Sequence, residues 1–550
     1  MIHQGTKDLL IGRIENVELF NVGQASKLGR YPIHFHMAGN VSKSYIRGCA
    51  IHQSFNRGIT VHGVNQLSLK NNVLYDIIGH TIFLEDGSET QNRIEYNLVV
   101  LTKQTFSMLT IDSTPASFWI KHPDNILVGN HAAGSDHYGF WYDPTKHPTG
   151  PSADRNVCPK NEKLGEFRDN VSHSNNKYGL RIHDSLLPRT HPCSNTSTDP
   201  DDEDNKHILA KFENLLTYKN RMNGVTAERL GYVQFHNFKV ADNALGGMEV
   251  SLTENIDDGY AKIVGALIVG RTENSEDWRN PDSTSYGIIT PKSENFSIED
   301  TKFFNFNFEN SAALGTCSHC FHPADTDSGA RTVTVSGLSF NNVDQRIKYQ
   351  YPYRAIFYDK DGTLTDQADG DAWATPYWKH NEVAGSCQKL LPEFDGLICD
   401  NSVQVRRLSF HGYKPNAFDL MEMKIARLEE DAISDVQSRL DFLEDLDNYS
   451  RVEWKKKLKP MNAHTVPFVT GQHYHIHWQT PEDFTEMKVE VSKRWAEEDL
   501  STFFSFNFTD QREAIKITTD YGNGEVIEED SLGDEETGSN AFSRNGNKEF

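Results

Sequence analysis

The stretch Gly29–Asn40, GRYPIHFHMAGN, constrains the fold more than any other, because its pattern returns down the chain. Glycine or proline, then apolar, variable, apolar, polar, is the pattern that returns, at Pro32-Ile33-His34-Phe35-His36, Gly58-Ile59-Thr60-Val61-His62 and, with Thr81 in the first place, Thr81-Ile82-Phe83-Leu84-Glu85. Weaker copies stand at Ser117–Lys121, Gly139–Asp143, Gly179–His183 and Gly247–Ser251. The first two steps are 26 and 23 residues (36 to 62, 62 to 85). Self-similarity at such a period marks a stacked-repeat architecture, and each unit has the two-residue alternation of a short strand. Strands repeated without intervening helices predict an all-β fold, a right-handed parallel β-helix.

A second apolar segment per coil begins at an Asn or Gly, as in Gly48-Cys49-Ala50-Ile51, Asn72-Val73-Leu74 and Asn97-Leu98-Val99, spaced by 24 and 25 residues (48 to 72, 72 to 97). Asn130 and Asn170 continue the series. Stacked asparagines at coil corners are expected to form amide ladders and to tolerate a left-handed backbone. An Asn170 held in such a ladder would close its own glycosylation sequon.

The repeats read as residues 1–345. A Gly/Asp-rich segment, 346–415, follows as a cap. A smaller β-rich domain spans 416–520, with Met421–Ile425 alternating as a strand and Leu428–Leu443 at helical spacing. The end, 521–550, is read as a disordered acidic tail. Asp143–Leu164, proline-rich, and Pro188–Asp204 are loops thrown out between coils, where recognition usually sits.

With net charge −23 over 550 residues, neither nucleic acid nor an anionic membrane is an expected partner. A polyanionic ligand would need a local basic patch, and Arg30 and Arg57 are early candidates. No apolar run reaches the ~18 residues of a membrane span. The seven cysteines are read as pairs Cys317–Cys320, Cys387–Cys399 and Cys158–Cys193 with Cys49 left over. With sequons at Asn40, Asn195, Asn295, Asn448 and Asn507 they favour an oxidising, extracellular setting. The chain opens on MIHQGTKDLL without a signal-peptide pattern, as expected of a segment of something longer.

Stacked in register, one column reads His36, His62, Glu85, Lys121, Asp143, His183, and another His34, Thr60, Phe83, Trp119, Trp141. With rungs ~4.8 Å apart, His36, His62 and Glu85 are candidate ligands of one divalent metal, and His34, His36, His62 and Glu85 a candidate proton-transfer set. Trp119 and Trp141 are candidates to stack on a sugar ring, with Asp143 beside them. Asp359-Lys-Asp361-Gly-Thr imitates a phosphatase nucleophile motif, but the surrounding chain lacks its alternating strands and helices. Asp359 and Asp361 are read as a tight turn and a candidate calcium site.

Several longer strings carry a resemblance: GRYPIHFHMAGN, NRGITVHG, HPTGPSADRNVCPKNEKLGEF with NVSHSN, VQFHNFKVADN, SAALGTCSHC and YDKDGTLTD. Over about residues 10–400 the chain resembles the fibrocystin-L group, related to the cell-surface hyaluronidase and the cell-migration-inducing hyaluronan-binding protein. The resemblance implies β-helical repeats and an extracellular or cell-surface location. It implies two functions: an adhesion, coat or glycan-binding role, or depolymerisation of hyaluronan. No cofactor is assigned outright; calcium or another divalent metal is the candidate that the His36, His62, Glu85 column and the Asp359–Asp361 turn offer. The resemblance places the residues credited with hyaluronidase activity largely in a glycine-rich domain that precedes the repeats in such relatives; this chain is read as starting after it, and with its acidic balance the non-enzymatic role is the expected one.

Overall fold

Three short strands per turn of chain, each one rung of a separate parallel sheet, build the first part of the computed structural model. The structure describes residues 2–3, 10–106, 110–194, 205–254, 261–275, 284–291, 296–316, 332–350, 355–367, 370–389, 393–412, 423–452, 463–478, 486–491, 503–508, 516–518, 527–529 and 539–543. It forms two compact units, one of residues 1–315 with 337–346, the other of 316–336 with 347–550.

In the first unit the first sheet stacks Ile33–Asn40, Ile59–Asn65, Ile82–Leu84, Ala116–Ile120, Tyr138–Tyr142, Tyr178–Ile182, Asn223–Leu230 and Gly246–Thr253 in parallel. Its register sets Ile33, Ile59, Ile82, Phe118, Phe140, Leu180, Val225 and Met248 in one file of core residues. Because successive side chains alternate faces, the opposite face carries His34, Thr60, Phe83, Trp119, Trp141, Arg181, Thr226 and Glu249, the expected order. The second sheet contributes the buried file Ile46, Leu69, Ile94, Leu127, Phe167, Phe212, Phe235 and Ile263. The third contributes Ile51, Leu74, Val99 and Ala132. Glycine opens many coils for a steric reason: a Cβ on Gly139 or Gly179 would lie 2.7 Å from a carbonyl oxygen of the next coil.

The corner before the third sheet holds the asparagine ladder. Asn72, Asn97 and Asn130 each send backbone N–H and side-chain amide to the Oδ1 of the next member, at 2.9–3.2 Å, ending on Asn170. Asn170 is buried and donates its own amide to the Leu127 carbonyl, so its sequon is closed. The left-handed backbone falls one residue earlier than expected, at Asn71, Tyr96, Gly129 and Asp169, and the ladder residues themselves are free of it. After Asn170 the corner turns apolar with Leu215 and Phe238, and a second ladder takes over at another corner through Asn175, Asn220 and Asn243.

In the second unit, Thr332–Ser336 and Ile356–Asp359 pair in parallel, and Ala372–Pro376, Gly396–Cys399 and Cys387–Lys389 extend the sheet antiparallel. Cys387–Cys399 is a disulfide across that last pair, packed on Trp373, Val403 and Val469. Two further sheets follow, one centred on Val405–Gly412 with Ala463–Val469, the other on Met423–Leu428 with His473–Trp478. Helices Glu430–Ser434 and Val436–Glu444 begin directly after the strand, and Asp435 caps the second by accepting from Ser438 N. Within the stretch read as a disordered tail, Ile527–Glu529 and Ser539–Ser543 pair antiparallel.

Among the described residues Cys158–Cys193 is the other disulfide, and Cys49 is buried and free. Cys317, Cys320, Asn195, Asn295 and the Asn507 side chain lie outside the described residues. Asn40 is exposed, with its Oδ1 accepting from Ser42 N, and Asn448 is half-buried with its amide on the Phe442 carbonyl. Among the described residues no helix is long and apolar enough to cross a membrane.

The Asp359 turn carries a pH prediction. One carboxyl oxygen of this buried residue accepts from Leu364 N, Thr365 N and Thr365 Oγ1 at 2.8–2.9 Å, and the other has no hydrogen-bond partner. Asp361 accepts from Thr363 N and Oγ1. One oxygen of each carboxylate is thus engaged by the turn itself. Burial, only partly opposed by Thr365, pushes the Asp359 carboxyl up to about 6. A folded pKa above the unfolded value of ~3.9 gives stability that is fully present below pH ~3.9 and lost as pH rises through about 6. Asp359→Asn should remove that component, on the order of 2–3 kcal/mol, so the variant gains on the parent between pH 4 and 7. Paired urea melts across that range test it, and parallel pH profiles would reject it.

Candidate functional site

Three histidines meet on the covered face of the first sheet. His34 and His36 lie on the strand Ile33–Asn40, and His62 pairs with His36 on the next rung. Ring centroids are 5.1 Å apart for His34–His36, 4.7 Å for His36–His62 and 6.0 Å for His34–His62. One ligand nitrogen from each falls within 4.8 Å of the others. His34 Nδ1 donates to the Gly29 carbonyl at 3.2 Å, which leaves Nε2 as a lone pair; that atom is buried and has no hydrogen-bond partner. Burial lowers the His34 pKa to about 4, so the ring is neutral at physiological pH.

Carboxylates flank His62. Its Nε2 is 2.7 Å from Asp86 Oδ2 and its Nδ1 3.3 Å from Glu85 Oε2. Burial works against its charge, but the Asp86 hydrogen bond and the charges of Glu85 and Asp86 hold it above the usual imidazole range. The two acids diverge. Burial raises the Glu85 carboxyl despite His62 and Arg57, whereas hydrogen bonds from His62 and Ser152 outweigh burial and hold Asp86 low. Asp86 sits in a loop organised by the buried Glu89, whose carboxylate accepts from the backbone N–H groups of Gly63, Asp86, Gly87 and Ser88. The proline-rich loop after Asp143 crosses over this corner: Thr149 N donates to the Asp86 carbonyl and Ser152 N to its side chain.

The structure therefore brings His34, His36, His62 and Glu85 together, and it places three other expected ligand residues differently. Arg57 is fully buried; its Nε and terminal nitrogen grip Asp112 at 3.0 and 2.7 Å, a third N–H reaches Tyr31, and the guanidinium lies over the Phe83 ring. It cannot border a groove. Trp119 and Trp141 are 2% and 6% exposed, packed with Phe83, Ala116 and Tyr138. They form a floor under the surface rather than a platform open to a sugar. Arg30 is exposed in the preceding loop, as expected of a rim residue.

Further along the same face lies a half-exposed polar strip. Arg181, over the Tyr138 and Trp141 rings at 5.0 and 4.9 Å, donates to Tyr138 Oη and Glu228. His183 Nδ1 is 2.6 Å from the same Glu228 oxygen. Lys121 stands over Trp119 and Lys177 over Tyr138, and Lys160 pairs with Asp184. Asp143, half-buried among Lys121, His183 and Arg181, is raised by burial, while His183 and Arg181 outweigh burial to hold Glu228 low.

Residues 1–180 match the CEMIP beta-helix family. Over 94% of its length the chain is 34% identical to fibrocystin-L of Mus musculus. The chain is a fibrocystin-L-like β-helix protein. The fibrocystin-L-like chain spans 12% of the length of that relative. It is 36% identical to the human cell surface hyaluronidase CEMIP2 over 42% of this chain and 20% of that one. It is also 27% identical to the human cell migration-inducing and hyaluronan-binding protein over 70% of this chain and 34% of that one.

In this fibrocystin-L-like chain, Asp86, Glu89, Asp112, Arg181 and Glu228 escaped a reading by columns. Asp86 and Glu89 follow Glu85 in a loop, beyond the alternation that organises the strands. Asp112 comes from the one-turn segment Thr110–Ser113, far from Arg57 in sequence. Arg181 and Glu228 do lie on columns, and continuing the His34, Thr60, Phe83, Trp119, Trp141 column one rung further would have found Arg181.

Proposed function

We propose that this chain is an extracellular, cell-surface β-helix module that binds an acidic glycan of the hyaluronan class along the polar strip of its first sheet. The observation that carries the reading is local charge. In a chain of net charge −23, Lys121, Lys177 and Arg181 gather on neighbouring rungs over the rings of Trp119, Tyr138 and Trp141, the kind of local patch that a polyanion requires. Two relatives are named for hyaluronan, one as binding it and one as a hyaluronidase.

Titration with hyaluronan octasaccharide should give saturable binding that weakens steeply with salt. Lys121→Ala with Lys177→Ala should reduce affinity by about tenfold, since each cation contributes about 0.5–1 kcal/mol at such a surface. No binding by folded wild-type protein at low salt would sink the reading.

Depolymerisation is the second reading, favoured by the divergence of Asp143 and Glu228. A carboxyl raised by burial and one kept ionised sit two rungs apart, roughly 10 Å, a separation near that of inverting glycosidases. Polymer size followed on long-chain hyaluronan, with calcium or with EDTA, decides between the two. Cleavage abolished by Glu228→Gln would make the strip an active site, and unchanged polymer would leave it a binding surface.

A further inference from the structure

We propose that His34, His36 and His62 form a three-imidazole binding site for one divalent transition metal of the zinc class, with the Glu85 carboxylate beside His62. The proposal stands on donor chemistry and is independent of the glycan reading, which concerns residues further along the sheet.

Two features set this cluster apart from a chance meeting of histidines on a β-helix face. The first is orientation. Metal-bound imidazoles characteristically give their second ring N–H to a carbonyl or carboxylate, which fixes the tautomer and aims the other nitrogen at the ion. His34 does so with the Gly29 carbonyl, aiming Nε2, and His62 does so with Asp86, aiming Nδ1. Asp86 is itself held by Ser152 N, and its loop by Glu89.

The second is an unmet need for partners. His34 is 2% exposed, yet its Nε2 has no hydrogen-bond partner, and Glu85 Oε2 likewise accepts none. Buried polar atoms are rarely left so in native proteins. One ligand nitrogen each of His34, His36 and His62 lies within 4.8 Å of the others, and Glu85 Oε2 adjoins this triad through His62, 3.3 Å from its Nδ1. A cation at that point would supply the partner that Glu85 Oε2 lacks. Imidazoles with one carboxylate suit zinc, copper, nickel or cobalt, whereas calcium prefers an all-oxygen shell. Asp86 is then a positioning residue rather than a ligand.

The test uses untagged full chain, stripped with EDTA and titrated with cobalt(II). One equivalent should bind with the strong visible absorption of a four-coordinate ion. His34→Ala or His36→Ala should abolish that band, and Asp86→Asn should weaken binding by about 10–100-fold. No band in folded wild-type protein, or equal uptake by wild type and a folded His34→Ala variant, overturns the proposal. Should the histidine variants not fold, X-ray absorption on zinc-loaded wild type still decides. Imidazole scattering with a first shell at about 2.0–2.2 Å supports the site, and a first shell without imidazole overturns it.

Discussion

Arg57→Ala is expected to destabilise the β-helix unit by about 3–5 kcal/mol, the largest effect of any single substitution proposed. Both Arg57 and Asp112 are wholly removed from solvent and joined by two parallel N–H···O bonds. Removing the guanidinium strands a buried carboxylate, takes the donor from Tyr31 Oη, and empties the face of the Phe83 ring. Arg57→Lys should recover little, because a lysine ammonium cannot reproduce the fork that spans both Asp112 oxygens. Arg57→Met with Asp112→Leu should cost much less than Arg57→Ala, since a buried ion pair exchanged for apolar groups of like volume is often near neutral. Guanidinium melts of the three variants read this directly. A loss below about 1 kcal/mol for Arg57→Ala, the value of an exposed pair, would mean that water reaches Arg57 and that the cover over this face opens readily.

The same residue shows where sequence reasoning stops. The recurrence of Ile33, Ile59 and Ile82, two positions apart from Phe35, Val61 and Leu84, carries strand length, register and direction together, because a slip of one residue would turn every core side chain outward. The asparagine ladder was legible for a similar reason: Asn72, Asn97 and Asn130 occupy one corner, and a stacked amide can meet both backbone and side-chain needs. Even the meeting of His36 with His62 follows from that register alone. Columns do not tell what lies over them. Whether Arg57, Trp119 and Trp141 face solvent depends on segments such as Thr110–Ser113 and the loop through Ser152, whose docking is set by tertiary contacts such as Asp112 on Arg57 and Ser152 on Asp86. Those pairs are 55 and 66 residues apart and obey no period. Hence the strands of the site could be read in advance, and its lid, its buried ion pair and the sides of its histidines could not.

Glu89→Ala is the second large expected effect, and it joins stability to the site. The Glu89 carboxylate is buried, and its charge is met by four backbone N–H groups at 2.8–3.1 Å rather than by a cation. Burial raises its pKa, and those donors act in the opposite sense. Alanine would leave Gly63, Asp86, Gly87 and Ser88 without their acceptor; at about 1–3 kcal/mol per orphaned group, partly relieved by entering water, a net loss of at least about 3 kcal/mol is expected. Glu89→Gln keeps the shape, but its NH₂ would oppose two of the donors, so it should fall between alanine and the parent. The effect should be local before it is global. Amides of residues 86–89 and of Gly63 should lose hydrogen-exchange protection in Glu89→Ala while the ladder amides of Asn97 and Asn130 keep theirs. Because Asp86 loses its backbone anchor, its grip on His62 loosens with it, and Asp86→Asn, which spares the anchor, should leave exchange of Gly87 and Ser88 unchanged. Full protection of the loop in Glu89→Ala would show that the chain from Asp86 to Glu89 is held by the loop through Thr149 and Ser152 instead, and that Glu89 is a passenger in it.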